Sequence, residues 1–285
     1  MPVEFIAEVS SNHSQDLSRC LKFVDVSADI GCSAVKFQLF KIDQLFIPEV
    51  VADRPEIQQR KEWELPVSYL PHIQERCKEK GLKFTCTPFY LEAVQELQPY
   101  VDFYKIASYE LLWNDLLKEC AKTGKPVVLS TGMATIDEVA GAVEMLHNNG
   151  CNDLTLLHCV SGYPTPVEEC NLTAIEEMRK VFKLKVGWSD HSVQPAVIYR
   201  AVHHWDAAMI EFHLDLEGKG EEFGGGHCWL PKQIEEVINN INKGFNADGT
   251  GEKGPTKVEA RERGWRADPS DGLRPLVATR QRWWE

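Results

Sequence analysis

Two histidines are the residues of this sequence best placed to do chemistry. His191 ends the motif Gly-Trp-Ser-Asp-His, His213 ends the motif Ile-Glu-Phe-His, and each comes just past a short apolar run. If these runs are neighbouring parallel strands, both imidazoles emerge at the same end of one sheet and can share a divalent cation through their ring nitrogens. The pair therefore predicts a metal-assisted enzyme.

The elements that must position these histidines alternate along the chain. Strands are predicted at 3–9, 33–39, 82–86, 102–106, 126–130, 154–158, 184–188 and 207–213, and helices at 16–30, 67–80, 90–98, 110–123, 135–149, 171–182, 194–205 and 231–244. Within helix 135–149, Thr135 and Glu138 have the spacing of a capping box. This alternation predicts a closed (β/α)8 TIM barrel. The alternative is an open doubly wound sheet, which lacks an obvious glycine-rich phosphate turn here.

Polar side chains stand at the end of every predicted strand. They are Glu8, Lys36, Gln38, Thr87, Lys105, Ser108, Ser130, Ser161, Tyr163, Ser189 and Glu211. Lys36 and Lys105 occupy matching inward places, and two neighbouring ammonium groups need an anion beside them. Ser130, followed by Thr131 and Gly132 at a helix entry, is typical of a phosphate cradle. The set predicts an anionic, hydroxylated ligand beside the metal.

Composition limits the class of protein. The chain has 285 residues, 43% of them hydrophobic, which suits one sizeable core. Its 43 acidic and 31 basic side chains give a net charge of −12, which argues against a nucleic-acid partner. The nine cysteines form no C-x-x-C pair, and no segment approaches membrane-spanning length. We expect a cytoplasmic protein with reduced thiols and no membrane partner.

Two regions depart from the simple repeat. The long connection 40–66 is rich in charge and proline, which indicates a lid or an oligomer contact. We predict a catalytic barrel over 1–245 and a loop-like tail over 246–285, with Trp283 and Trp284 packed against other residues.

The strand-end motifs resemble, in order along the chain, those of the N-acetylneuraminate (sialic acid) synthase family. They are Ile6-Ala7-Glu8 with Asn12-His13, Val35-Lys36-Phe37-Gln38, Thr87-Pro88-Phe89, Tyr104-Lys105-Ile106-Ala107-Ser108, Leu129-Ser130-Thr131-Gly132-Met133, Leu157-His158-Cys159 with Tyr163-Pro164-Thr165-Pro166, Gly187-Trp188-Ser189-Asp190-His191 and Glu211-Phe212-His213. One tetrapeptide would be weak evidence, but eight motifs in register are strong.

The resemblance implies a reaction and a role for each residue. Phosphoenolpyruvate condenses with an open-chain N-acetylated hexosamine, typically N-acetylmannosamine, to give phosphate and a nonulosonic acid. By position, His191 and His213 would hold Mn²⁺ or Mg²⁺, which polarises the sugar aldehyde. Lys36, Gln38, Thr87, Lys105, Ser108, Ser130 and Ser189 would bind phosphoenolpyruvate; Tyr163, Ser161 and Glu211 would bind the sugar; and Glu8, Lys36, Lys105 and Glu211 would be catalytic. A homodimer is expected by analogy.

Two departures from the family pattern bear on the acceptor sugar. Relatives often carry Gly-Pro-Asp-His after the last strand, but here the residues are Gly224-Gly225-Gly226-His227, so we expect an aspartate near the metal and the sugar to be missing. The tail is also too short for the antifreeze-like domain that supplies an arginine in relatives. Arg263, Arg266 and Arg274 are candidates to replace that arginine.

Two other functions stay open. One is a condensation on a phosphorylated aldose, like that of the 3-deoxy-keto-acid phosphate synthases. The other is a non-catalytic barrel or subunit that binds phosphoenolpyruvate or a sugar acid.

Overall fold

A closed barrel of parallel strands forms the body of the protein. The computed structural model describes residues 3–282. These residues form two compact units, with the boundary between Asn242 and Lys243. The strands are β1 Glu4–Glu8, β2 Ala34–Leu39, β3 Lys83–Pro88, β4 Phe103–Ile106, β5 Val127–Ser130, β6 Leu154–Cys159, β7 Lys185–Asp190, β8 Met209–Leu214 and β9 Cys228–Trp229. Each of β1 to β8 pairs in parallel with the next, and β8 pairs with β1. The predicted (β/α)8 barrel is confirmed.

The helices follow the strands in alternation. They are α1 Leu17–Asp29, α2 Ile42–Leu45, α3 Pro48–Asp53, α4 Pro55–Gln59, α5 Leu70–Lys80, α6 Leu91–Leu97, α7 Asn114–Lys122, α8 Ile136–Asn148, α9 Ala174–Phe182, α10 Pro195–His203, α11 Glu221–Gly224, α12 Pro231–Ala247 and α13 Val277–Gln281. The Thr135–Glu138 capping box at the start of α8 is present as predicted. Every predicted helix has a counterpart here.

Connection 40–66 is more ordered than a loop. It contains α2, α3 and α4, and the last two begin with Pro48 and Pro55, whose fixed φ suits the first helical position. Phe40, Ile42 and Val51 are buried in a small apolar cluster of their own. The segment is therefore a short helical layer with its own packing.

A layer of apolar side chains fills the lower barrel interior. Ile6, Ala34, Phe103, Val128, Leu157 and Met209 form one buried cluster. Gly187 completes this layer without a side chain, because a Cβ there would lie 2.3 Å from the Met209 carbonyl oxygen. Since side chains alternate along a strand, the residue two positions later faces the same interior. Those next residues are Glu8, Lys36, Lys105, Ser130, Cys159, Ser189 and Glu211. The apolar layer thus lies directly below a layer of mostly polar side chains.

A short strand that the sequence did not predict follows the barrel. β9 pairs in parallel with β8, with Cys228 beside His213 and Trp229 beside Leu214. The Trp229 indole N–H donates to Asp190 Oδ2 at 3.0 Å, and the Trp188 indole N–H donates to Asp190 Oδ1 at 3.1 Å. Asp190 therefore has a structural role, because its buried carboxylate ties β9 to β7.

The second unit, described from 243 to 282, is mostly loop. It contains the end of α12, a 3₁₀ turn at Glu262–Trp265 and α13. Arg280 Nη2 donates to Asp271 Oδ1 at 2.9 Å, and Leu276 N–H donates to Gly264 O at 2.9 Å. The predicted packing of Trp283 and Trp284 lies outside the described residues. No helix within residues 3–282 has the length and apolar character needed to cross a membrane.

Candidate active site

A cavity of about 690 Å³ opens at the carboxyl ends of the barrel strands. Ten of the predicted site residues line it: Lys36, Gln38, Lys105, Ser108, Ser130, Tyr163, Ser189, His191, Glu211 and His213. Glu8 and Thr87 are fully buried behind this lining, and Ser161 is partly buried. The strand ends thus bring together the residues that the sequence analysis singled out.

Two buried lysines and two buried carboxylates meet on the cavity floor. Lys36 Nζ lies 2.8 Å from Glu8 Oε2 and 3.5 Å from Glu211 Oε1. Lys105 Nζ lies 3.3 Å from the same Glu211 oxygen. The anion that we expected beside the two ammonium groups is therefore supplied by the protein itself, and the floor is close to electrically neutral.

Burial and the ion pairs set the protonation of this cluster. For Lys36, burial acts to lower the pKa, but Glu211 and Glu8 outweigh it and the pKa is raised. For Lys105, burial prevails over Glu211, and the pKa is lowered. Burial alone would raise the pKa of Glu211, but Lys105 and Lys36 lower it to about 2. Glu211 is consequently a carboxylate throughout the neutral range.

Some of these side chains keep hydrogen-bonding capacity for a ligand. Ser189 Oγ donates to Glu211 Oε1 at 3.1 Å, and Gln38 Nε2 donates to Glu8 Oε1 at 2.5 Å. Among the described residues, Glu211 Oε2 and Thr87 Oγ1 are buried without a hydrogen-bond partner. Because unpartnered buried polar atoms are uncommon, these two atoms indicate where a bound molecule could be contacted.

The predicted helix-terminal phosphate cradle is not formed at Ser130. Helix α8 begins only at Ile136, and Thr131 Oγ1 donates to Leu157 O at 3.0 Å instead of facing a ligand. The Gly132 N–H donates to Ser108 Oγ at 2.9 Å. A Cβ on Gly132 would lie 2.4 Å from Ser161 Oγ, so this glycine allows both serines to approach. Serine hydroxyls, and not a helix N-terminus, therefore form this side of the cavity.

The two histidines of the opening motifs face each other. Their ring centroids are 5.4 Å apart. His191 Nδ1 lies 2.8 Å from Val160 O, and because a carbonyl only accepts, Nδ1 carries the proton and Nε2 keeps its lone pair. Burial and the neighbouring His213 lower the pKa of His191 to about 3, so the ring is neutral. A neutral imidazole whose other nitrogen is held by a carbonyl is suited to binding a divalent ion.

Two residues beside His213 were missed by the sequence analysis. Glu222 Oε2 lies 2.9 Å from His213 Nδ1 and 3.7 Å from His227 Nε2. No aspartate stands in the Gly224–His227 stretch, but α11 supplies the carboxylate of Glu222 at this place. The glycine run was the available signal: a Cβ on Gly225 would come within 3.2 Å of His227 Nδ1, so a small residue there makes room for the imidazole.

The mouth of the cavity combines aromatic and charged side chains. The Tyr163 ring centroid is 4.2 Å from that of His191 and 5.1 Å from that of His227. Leu45, Phe46 and Arg60 of segment 40–66 also line the cavity. The tail arginines belong to the second unit, and their role stays a prediction.

Glu110, just beyond the fourth strand, also lines the cavity. It ends the 3₁₀ turn Ser108–Glu110, and its side chain is 8% exposed. Burial raises its pKa to about 7, against the opposing influence of Lys105.

Comparison with known proteins identifies the family of this chain. The model of the NeuB family matches residues 23–253. The chain belongs to the NeuB family. It is 32% identical to the N,N'-diacetyllegionaminic acid synthase of Campylobacter jejuni, with 90% of this chain and 80% of that protein covered. It is 36% identical to the uncharacterized protein MJ1065 of Methanocaldococcus jannaschii, over 90% of this chain and 75% of that one.

A solved structure shares the fold closely. The N-acetylneuraminic acid synthetase of Leptospira borgpetersenii, crystallised with citrate, superimposes with a TM-score of 0.81 at 29% identity. The match covers 92% of this chain and 90% of that one. Relatives named for sialic and legionaminic acids place this family member among nonulosonic acid synthases.

Proposed function

We propose that the protein condenses phosphoenolpyruvate with an N-acetylated hexosamine such as N-acetylmannosamine and releases phosphate and a nonulosonic acid. The observation that carries this proposal is the convergence of buried Lys36 and Lys105 on Glu211 beneath two histidines. In a family member, these two ammonium groups would bind the enol phosphate next to the candidate metal ligands.

Phosphoenolpyruvate would lie on the lysine side of the cavity. The proposed contacts are Lys36, Gln38, Thr87, Lys105, Ser108, Ser130 and Ser189, of which all but Thr87 line the cavity. Charge-assisted hydrogen bonds from ammonium groups are the strongest available to phosphate and carboxylate oxygens. Glu8 and Glu211 already neutralise the lysines, so a multiply charged anion needs further positive charge. Arg60, which also lines the cavity, and a divalent ion would supply it.

His191 and His213 are the proposed ligands of Mn²⁺ or Mg²⁺. The neutral His191 ring, with Nε2 free, meets the requirement for a ligand. Bound there, the ion would supply Lewis-acid polarisation of the acceptor's aldehyde oxygen.

The residues of the floor would position the reacting atoms. In the reaction, C3 of phosphoenolpyruvate forms a bond to the aldehyde carbon, water adds at C2 and phosphate leaves. Lys36 and Lys105 would stabilise the charge on the departing phosphate, and Glu8 would hold Lys36 in place. Glu211, a carboxylate with Oε2 unpartnered, could accept a proton from the attacking water or bind a sugar hydroxyl. Tyr163 and Ser161 would complete the part of the cavity that binds the sugar.

The test is phosphate release from phosphoenolpyruvate with N-acetylmannosamine or a deoxy diacetamido hexose, with and without Mn²⁺, and with product masses recorded. We expect phosphate and a nonulosonic acid in equal amounts. A product formed only from phosphorylated aldoses would instead support the 3-deoxy-keto-acid phosphate synthase alternative. No turnover on any aldose, with thermal stabilisation by phosphoenolpyruvate, would support a binding protein.

Assembly and location belong to the same proposal. We propose a cytoplasmic homodimer, by analogy with synthases of this type. A monomer in sedimentation at assay concentrations would contradict the dimer.

A further inference from the structure

One cation of the cavity lining has no carboxylate beside it. Lys36 and Lys105 pair with buried carboxylates, but the guanidinium group of Arg60 has no ion pair and no hydrogen bond among residues 3–282. Its contact is with Trp63, whose ring centroid lies 5.2 Å from Arg60 Cζ. A cation held over an aromatic ring keeps its charge. Arg60 therefore offers the cavity a positive charge that the protein does not neutralise.

The turn that carries Arg60 is fastened to the loop after β1 by Gln15. Arg60 is the first residue of a 3₁₀ turn that ends at Trp63. Gln15 Nε2 donates to Lys61 O at 2.9 Å and to Glu64 O at 3.0 Å, so one carboxamide holds the chain on both sides of this turn. These two bonds fix the backbone position from which the Arg60 side chain reaches the cavity.

The loop that carries Gln15 has a strained backbone. Ser10, Ser14 and Gln15 have φ values between 49° and 51°, in the left-handed region that residues other than glycine rarely adopt. Gln15 is held there from two sides, because its N–H donates to His13 Nδ1 at 3.0 Å and the Tyr69 hydroxyl donates to its carbonyl oxygen at 2.7 Å. Such strain persists where the surroundings enforce it, and it is concentrated at functional sites. The strain therefore points to a functional task for Gln15.

The anion that suits Arg60 follows from the charges of the two proposed substrates. The proposed acceptor is uncharged, and the lysines are already neutralised, so phosphoenolpyruvate is the ligand that needs a further cation. A guanidinium group can donate two parallel hydrogen bonds to the oxygens of a phosphate, which carries most of the charge of phosphoenolpyruvate. Arg60 is exposed, whereas Lys36 and Lys105 are buried, so it offers its donors on the solvent side of the cavity.

We propose that Arg60 binds the phosphate group of phosphoenolpyruvate and that Gln15 is the residue that positions Arg60. The inference deepens the proposed function and rests on it, since Arg60 is there only one source of positive charge. It has a specific consequence: Gln15 contributes to phosphoenolpyruvate binding through Arg60 and contributes nothing once Arg60 is removed.

The test is a double-mutant cycle on phosphoenolpyruvate affinity, measured by calorimetry with Mn²⁺ present and no acceptor sugar. Arg60→Ala should weaken binding about ten- to one-hundredfold, because it removes a charged donor. Gln15→Ala should weaken it about two- to tenfold, and the double variant should bind no more weakly than Arg60→Ala alone. Inorganic phosphate, titrated as a second ligand, should lose affinity in the same order.

Arg54→Ala is the matched control. It removes another exposed cation of segment 40–66 that does not line the cavity, and it should bind phosphoenolpyruvate as the wild type does. Wild-type affinity in Arg60→Ala, with a raised KM for the acceptor instead, would overturn the inference. A loss from Gln15→Ala that is equal in the presence and absence of Arg60 would show a merely structural role and would overturn the positioning.

The same measurements separate this inference from the proposed condensation, because binding is recorded without turnover. Turnover by the wild type together with unchanged phosphoenolpyruvate affinity in Arg60→Ala would overturn the inference and leave the condensation standing. Binding that depends on Arg60, with no turnover on any aldose, would support the inference and count against the condensation.

Discussion

Glu110 offers a test of the electrostatics of the cavity through protein stability. The residue is 8% exposed, and burial raises its pKa from 4.5 to about 7. The folded protein therefore holds this proton more tightly than the unfolded chain. Between pH 4.5 and about 7, unfolding releases the proton, so the free energy of unfolding falls as the pH rises through this window.

The size of the effect follows from the shift. At 1.36 kcal/mol for each unit of pKa, the change from 4.5 to about 7 corresponds to about 3 kcal/mol of stability lost by pH 8. Glu110→Gln keeps the shape and cannot ionise, so we expect its stability advantage over the wild type to grow with pH and to level off at about 3 kcal/mol.

Urea denaturation of both proteins from pH 4.5 to 8 measures this difference. Glu144→Gln, which changes an exposed carboxylate on α8, is the control and should follow the wild-type profile. Parallel pH profiles for wild type and Glu110→Gln would show that Glu110 ionises normally and would refute the reasoning.

Three further predictions concern the floor, the histidines and the barrel interior. Lys105→Ala should weaken phosphoenolpyruvate binding by about ten- to one-hundredfold in calorimetry, because it removes a charged donor; unchanged affinity would refute its placement. His191→Ala and His213→Ala should each abolish turnover while circular dichroism stays native, and activity in either variant would overturn its role. Gly187→Ala should destabilise the fold by at least about 1–3 kcal/mol, because its Cβ would meet Met209 O at 2.3 Å. Gly141→Ala in α8, where nothing lies within 4 Å, should stabilise it by up to about 1 kcal/mol, and equal effects would contradict the packing.

The barrel could be predicted because its signals are local and repeated. The run at 207–213, for example, corresponds to strand Met209–Leu214, and the capping box of α8 has the predicted residues. The histidines and lysines could be assigned to one place because parallel strands that end at the same face of a barrel bring their last residues together.

Features set by tertiary contacts could not be predicted. A strand of two residues, Cys228–Trp229, has no periodicity, and its place depends on the bond from Trp229 to Asp190. Glu222 reaches His213 only because the loop before it is braced by Asp215. The neutral floor was likewise missed, since spacing does not show that Glu8 and Glu211 pair with the two lysines.

The seating of phosphoenolpyruvate on the two buried lysines is tested most directly by a crystal structure with phosphoenolpyruvate and Mn²⁺. We expect its phosphate or carboxylate oxygens within hydrogen-bonding distance of Lys36 Nζ and Lys105 Nζ, with C3 open toward His191 and His213. Phosphoenolpyruvate bound elsewhere, with the two lysines paired only to Glu8 and Glu211 as they are now, would contradict the proposed site.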